Sequence, residues 1–248
     1  MRPVIGTAGW AIPAADRPAF PAEGSILQRY AHRLGGVEVN SSFYRPHRRA
    51  TWQRWAESVP DGFRFAVKIP KAISHERRLA AVEAELARFL EEVGGLGDKL
   101  AILLLQLPPS FAFDAELVST FVAAVSAHTA VPIACEPRHA SWFTAEADAL
   151  LRRRNIARVA ADPARVPEAA SPGGWRGLSY WRLHGSPVTY RSAYGEARLP
   201  DIAAAIAADA APDRAQWCVF DNTAASAAMG DALQLSHRLS AARPCDLW

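Results

Sequence analysis

Short apolar runs recur eight times along the chain, and a stretch with helical spacing follows nearly every one. The runs are Val4 to Gly9, Val37 to Ser41, Phe63 to Ile69, Leu100 to Leu107, Ile133 to Arg138, Ile156 to Asp162, Ser179 to Gly185 and Trp217 to Asn222. Phe63 to Lys68 alternates with period two, whereas Leu100 to Leu107 is continuously apolar, as a strand covered on both faces must be. Between the runs, Ser25 to Leu34 sets Ile26, Leu27, Tyr30, Ala31 and Leu34 at helical spacing and stops at Gly35-Gly36. Thr51 to Ser58, Leu79 to Val93, Asp114 to Ala127, Phe143 to Arg154, Leu199 to Asp209 and Thr223 to Leu239 predict further helices. Pro163 to Gly177, rich in Pro, Gly and Ala, predicts at most a short one.

Strand then helix, eight times, builds either a closed barrel or an open doubly wound sheet. A dinucleotide-binding sheet needs Gly-x-Gly-x-x-Gly running into a helix after the first strand, and Gly6-Thr7-Ala8-Gly9-Trp10 does not supply it. The chain has 248 residues, near the roughly 250 of a one-domain (β/α)8 barrel. The expectation is therefore an α/β fold, a single TIM-type barrel of parallel strands over residues 1–248, with an irregular crossover after the sixth strand.

Half of the residues are hydrophobic and 21% are charged, which suits an ordinary globular core. A net charge of +3 without a basic stripe argues against nucleic acid as a partner. Arg152-Arg153-Arg154 ends a predicted helix, where cations complement the helix dipole. Cys135, Cys218 and Cys245 are too widely spaced for a disulfide framework or zinc site, which points to a reducing compartment and a cytoplasmic location. The start of the chain enters a strand at once, leaving no signal-peptide pattern. No apolar stretch approaches the roughly 20 residues of a membrane helix. The terminal Cys245-Asp246-Leu247-Trp248 has the wrong residues for prenylation.

In a parallel barrel the strand ends converge on one rim, where such folds carry their chemistry. Those ends bear Thr7, Glu38 with Asn40, Lys68, Gln106, Glu136 with Arg138, Asp162, Arg182 with His184, and Asp221 with Asn222. Period two puts Glu38 with Asn40, Glu136 with Arg138, and Arg182 with His184 on shared faces. Ionisable pairs of this kind belong at the mouth of the interior, with acids and bases interleaved, because an unpaired buried charge costs several kcal/mol, roughly. Lys68 is one of three lysines among 28 basic residues. An ammonium can release a proton where a guanidinium cannot, so Lys68 is a candidate for chemistry.

Several ordered motifs resemble the YecE-like family, domain of unknown function 72. They are Gly6-Thr7-Ala8-Gly9-Trp10, Val37-Glu38-Val39-Asn40-Ser41-Ser42-Phe43-Tyr44, Phe65-Ala66-Val67-Lys68 with Ile73-Ser74-His75, Gln106-Leu107-Pro108-Pro109-Ser110-Phe111, Glu136-Pro137-Arg138-His139-Ala140-Ser141-Trp142 and Arg182-Leu183-His184-Gly185. The resemblance covers almost the whole chain. It implies a TIM-type barrel and no particular reaction. Position by position it marks Trp10, Glu38, Asn40, Tyr44, Lys68, His75, Gln106, Glu136, Arg138, His139, Trp142, Arg182, His184, Tyr194 and Asn222. Ser74, Pro137 and Asp221 depart from the family pattern, and Asp221 adds a negative charge beside Asn222.

The leading expectation is an acid/base enzyme for a small, polar, anionic substrate, with Glu38, Lys68, Glu136 and His184 catalytic. Trp10, Asn40, Tyr44, His75, Gln106, Arg138, His139, Trp142, Arg182, Tyr194 and Asn222 would bind substrate. A second reading is a divalent-metal enzyme using Glu38, Glu136, His139, Asp162 and His184, although Lys68 and two arginines would repel a cation, so no cofactor is expected. A third is a non-catalytic small-molecule or sugar-binding barrel walled by Trp10, Tyr44 and Trp142. Glycosidase chemistry would need Glu38 and Glu136 at a defined separation. Against all of these stands a buried ion-pair plug that merely holds the barrel together. The sequence fixes no oligomeric state.

Overall fold

The computed structural model describes residues 2–241, so Cys245 and the terminal tetrapeptide lie outside the described residues. Its strands are β1 (Val4–Thr7), β2 (Gly36–Val39), β3 (Arg64–Lys68), β4 (Leu100–Gln106), β5 (Ile133–Glu136), β6 (Ile156–Arg158), β7 (Ala160–Asp162), β8 (Gly173–Gly174), β9 (Leu178–Leu183) and β10 (Ala215–Phe220). They form a four-stranded sheet, β1-β10-β9-β7, and a six-stranded sheet, β2-β3-β4-β5-β6-β8. Every pairing is parallel except β6 with β8. The fold is thus a mixed α/β architecture of parallel sheets, in two sheets where one ring of eight strands was expected. The sixth run is interrupted at Val159, whose amide turns to the Cys135 carbonyl at 2.8 Å. The irregular crossover contributes a two-residue antiparallel strand of its own, β8.

The sheets adjoin twice. β6 and β7 are consecutive on either side of Val159, and β1 meets β2 through a single bridge between Ala8 and Glu38. Gly9 donates its amide to the Glu38 carbonyl there at 2.8 Å. This approach requires glycine: a Cβ on Gly6 would stand 2.3 Å from the Gly36 carbonyl oxygen.

The helices are α1 (Ile26–Ala31), α2 (Ser41–Tyr44), α3 (Arg49–Glu57), α4 (Glu83–Val93), α5 (Ala115–Ser126), α6 (Ala145–Arg153), α7 (Gly195–Ala208) and α8 (Ala227–Ala241). Local chemistry explains their starts. Ser25 and Gln28 form a reciprocal capping box on α1, while Asp114 and Thr144 cap α5 and α6 through their side-chain oxygens. Helix α4 begins later than its apolar pattern because Arg78, Leu79 and Ala81 adopt φ of 52°, 66° and 50°, a left-handed backbone that no right-handed helix contains. Helix α7 begins earlier than its pattern because Asp231 on α8 accepts the amides of Tyr194 and Gly195, satisfying donors at the helix start. No described helix is long and apolar enough to cross a membrane.

Alternation along the strands sorts the core into two clusters. Val37, Val39, Phe65, Val67, Leu103, Leu105, Cys218 and Phe220 belong to an outer cluster with Leu86 on α4, Phe121 on α5, Leu151 on α6 and Leu235 on α8. The opposite parity gives an inner cluster, where Ala66, Ala134 and Ala157 share space with Leu104, Tyr180 and Trp217. The Tyr180 and Trp217 rings stack with centroids 6.0 Å apart and an interplanar angle of 9°. Small residues on some strands make room for large ones on others, as close packing demands. Continuing the same inner parity toward the strands' C-terminal ends, the apolar column gives way to Glu38, Lys68, Gln106, Glu136, Arg182, His184 and Asp221.

Candidate functional site

Arg182 lies at the centre of this polar layer with no exposed surface. Its Nε and Nη2 donate to the two oxygens of Glu38 at 2.9 and 2.7 Å, Nη1 donates to Glu136 at 2.5 Å, and Nη2 also reaches Asp221 at 2.9 Å. Glu38 is equally buried and accepts a further bond from the Tyr180 hydroxyl at 2.8 Å. The pairings join residues of β2, β5 and β9 with Asp221 just beyond β10. Saturated pairing of this kind is what allows charges to be buried at all.

Toward solvent the cluster continues through His184. Its Nδ1 faces Asp221 Oδ2 at 3.0 Å and its Nε2 faces Glu136 Oε1 at 3.2 Å. Two carboxylate neighbours ask both ring nitrogens to donate, which only the imidazolium can do. Burial alone would lower the His184 pKa, but the Glu136 charge and the hydrogen bonds to Asp221 and Glu136 prevail and raise it. Glu136 is in turn held well below the usual carboxylate range: burial opposes its charge, and Arg182, His184 and Arg138 outweigh burial. Asp221 is lowered in the same way, by Arg182 and His184 against its burial. Arg138 completes the group, donating Nε and Nη2 to Glu136 Oε1 at 3.1 and 3.0 Å.

These contacts match three carboxylates, Glu38, Glu136 and Asp221, with Arg182, Arg138 and the His184 imidazolium. Lys68 stands outside that balance. It forms no ion pair with a described carboxylate, and its Nζ lies over the Phe43 ring, 4.1 Å from the centroid. Lys68 is 7% exposed. Burial, reinforced by the Arg182 charge, brings its ammonium down to about 8 despite the attraction of Glu38, Glu136 and Asp221.

A cavity of about 410 Å³ opens at this rim, with Glu136, Arg138, Arg165, His184, Thr189 and Tyr190 in its walls. A separate groove of about 340 Å³, between α2 and α4, holds none of the ionic cluster. Among the described residues no group of three or more His, Cys, Asp and Glu side chains is arranged to hold a metal ion. Both oxygens of Glu38 and Glu136 and Oδ2 of Asp221 are already engaged by arginine and histidine donors, and Asp221 Oδ1 faces the Asn40 amide.

The other predicted positions divide. Gln106 is buried on the inner face at the end of β4. Asn40 offers Nδ2 to Asp221 at 3.5 Å and keeps a buried Oδ1 without a partner. His75 bonds Ser74 and packs edge-on against Phe43, with its pKa lowered by burial and by the charges of Lys68 and Arg138. Trp10 packs edge-on against Trp55 beside the β1 end, and Tyr44 is 79% exposed, touching Phe43. Four residues lie apart from the cluster. His139 accepts the Ser141 amide and caps a short turn, and the indole of buried Trp142 donates to the Phe111 carbonyl. Asn222 has the opposite strand parity to Asp221 and reaches outward, to Asp231 and the Ser192 carbonyl. The Tyr194 hydroxyl accepts the Gly185 amide and bonds Asp162, bracing the segment that carries Tyr190. Arg182 and Glu38 themselves present no surface to a substrate.

Sequence reasoning passed over Tyr180, Phe43 as the ring against Lys68, Asp221 as a partner of Arg182, and Asp231. Tyr180 had a signal, since it lies one inner step before Arg182. Asp231 had one as well, a carboxylate on the apolar face of α8.

The fold and its polar layer define an α/β protein of parallel sheets with an ionic cluster at one rim. Within that class the chain belongs to the family described as protein of unknown function DUF72, whose profile matches residues 4–246. It is similar to UPF0759 protein YecE of Escherichia coli, 31% identical over 107 residues, which is 43% of this chain and 38% of the relative. UPF0759 protein YunF of Bacillus subtilis is 28% identical over 151 residues, 56% of this chain and 52% of that protein. The matched region thus spans about half or less of these relatives' length. In fold the chain resembles a DUF72 family protein from Enterococcus faecalis, with a TM-score of 0.81 at 20% identity over 97% of this chain and 96% of the other. It also resembles one from Thermotoga maritima, with a TM-score of 0.77 at 21% identity over 97% and 100%.

Proposed function

We propose that the two sheets act as the wall of one TIM-type barrel, a single domain, and that the protein is an acid/base enzyme acting in the cytoplasm on a small anionic substrate. One observation carries this reading: a carboxylate, a guanidinium and an imidazolium, Glu136, Arg138 and His184, line one cavity, and the same inner layer carries the Lys68 ammonium, which is in ion-pair contact with no described carboxylate. The surplus positive charge favours an anion. Arg138 keeps part of its guanidinium open, and its paired donors suit a carboxylate or phosphate. His184 and Lys68 are the proton donors: the raised pKa of His184 favours its protonated imidazole, and the Lys68 ammonium, brought down to about 8, releases its proton close to physiological pH. Glu136, with its depressed pKa, fixes His184 and Arg138. Glu38, Arg182, Tyr180 and Asp221 position that layer from below.

The test is calorimetric titration of the full chain with phosphate, oxalate and citrate, followed by a turnover screen of small carboxylates and phosphate esters. Binding that weakens at least about tenfold in Arg138→Met, with turnover lost in His184→Gln, supports the proposal. Absence of anion binding, or turnover unchanged in both variants, overturns it. Stoichiometric metal in protein purified without chelator would favour the metal-dependent alternative.

A further inference from the structure

We propose that Lys68 is a Schiff-base amine, and that the substrate is a small carbonyl compound bearing a carboxylate or phosphate, such as a 2-oxo acid. The proposal rests on the functional reading above and deepens it by assigning a covalent step.

The chain's three lysines occupy contrasting environments. Lys71 is exposed and paired with Glu76 at 3.2 Å. Lys99 gives its ammonium protons to the carbonyls of Ala56 and Val59 at 2.7 and 2.6 Å, a structural clamp between segments. Lys68 has neither kind of partner. It stands at the end of β3 on the inner face, against the ring of Phe43 and beside the self-neutralised cluster. Desolvation next to another cation is the setting in which an amine becomes nucleophilic near neutral pH.

The step conserves atoms and charge. The free amine lone pair attacks the carbonyl carbon, and the C=O π pair moves to oxygen, which takes a proton. Nitrogen loses a proton to give a neutral carbinolamine. Protonation of its hydroxyl expels water as the nitrogen lone pair forms C=N⁺. From ammonium and carbonyl the net products are iminium and water, with no oxidant or reductant. The positive charge stays where it was, so Phe43 faces an iminium as it faced the ammonium. The balance of Glu38, Glu136 and Asp221 against Arg182, Arg138 and His184 is left intact. Arg138 supplies the seat for the anionic group. Lys68 at the end of β3 and Arg138 just beyond β5 continue the same inner parity, and the charges of both act on His75.

Incubating the full chain with glyoxylate and sodium cyanoborohydride at pH 7.5 would trap the iminium as a secondary amine that peptide mass mapping locates. The expected result is labelling of Lys68 at least about tenfold faster than Lys71, with Lys99 unlabelled. Lys68→Arg, which keeps the charge and the fold, should lose that label. Labelling of Lys68 no faster than of exposed Lys71 overturns the amine role. A parallel run with acetaldehyde separates the two proposals. Equal labelling by both aldehydes in wild type and Arg138→Met overturns the anionic substrate class. Anion binding by calorimetry without Lys68 labelling overturns the covalent step and leaves the acid/base reading standing.

Discussion

Two cations on the same inner face, Arg182 and Lys68, have opposite surroundings. Arg182 is sealed and bonded to three carboxylates, whereas Lys68 rests on an aromatic ring and has none in ion-pair contact. The plug reading therefore describes the floor of the layer well: Glu38, Tyr180, Arg182 and Asp221 satisfy one another. It does not describe the edge, where Lys68 carries a burial cost that the Phe43 ring and the carboxylates beyond ion-pair contact offset only in part. Fully matched charge ties the strands together, and on the proposed reading the unmatched charge at the edge is the one that does chemistry.

Breaking the floor should have the largest effect. Arg182→Met strands three carboxylates, and we expect a loss of about 3 to 5 kcal/mol in urea denaturation at pH 7. The deficit relative to wild type should narrow on acidification, as the carboxylates take up protons. A loss under about 1 kcal/mol would mean that the floor is not holding the fold.

The edge should respond with the opposite sign. Lys68→Met should stabilise the protein at pH 7 by about 1 to 3 kcal/mol, since it removes an ammonium depressed from an ordinary value of about 10.4. Because the folded pKa is near 8, the unfolded chain binds more protons between that value and its own. Wild-type stability attributable to Lys68 therefore rises with pH across that window, and the advantage of Met should fade above about pH 10. Denaturation at pH 7 and pH 10 measures both points. Destabilisation at pH 7 would show that Lys68 is structural like Arg182.

His184, between floor and edge, should give the smallest change. Its pKa is raised, so its contribution is complete below its ordinary value of about 6.5 and is lost as pH climbs through the folded value. Glu136 and Asp221 act in the other direction, contributing above the ordinary carboxylate range and losing that contribution as pH falls through their lowered values. His184→Gln should cost about 1 kcal/mol at pH 6 and less at pH 9. Thermal melts at the two pH values check this, and a pH-independent difference would sever His184 from the ionic network.

Strand parity made much of this arrangement legible from the sequence. It put Glu38, Lys68, Glu136, Arg182 and His184 on one face, and they do share the inner layer. Parity also separates Asp221 from Asn222, and applying it there would have sent Asn222 outward to Asp231. Partner choice was not legible. Whether Arg182 meets Asp221, Glu38 or a ligand depends on side-chain reach across strands distant in sequence, and no local spacing encodes that. His139 and Trp142 misled for a similar reason. They share a motif with Glu136 and Arg138, but a short turn after β5 carries them out of the layer. The division into two sheets turns on two backbone details that no apolar run encodes, the interruption at Val159 and the reduction of the β1–β2 pairing to the single Ala8–Glu38 bridge.

The contact of Gly6 with Gly36 has a further consequence. The carbonyl that leaves no room for a side chain on Gly6 belongs to the strand that bears Glu38, two residues on, and the lone bridge there is made by Glu38 itself. A methyl group at Gly6 would act as a wedge at this joint, opening a path for water toward Glu38, the least exposed acidic side chain among the described residues. Close backbone approach at two side-chain-free positions thereby helps to keep the floor of the ionic layer dry.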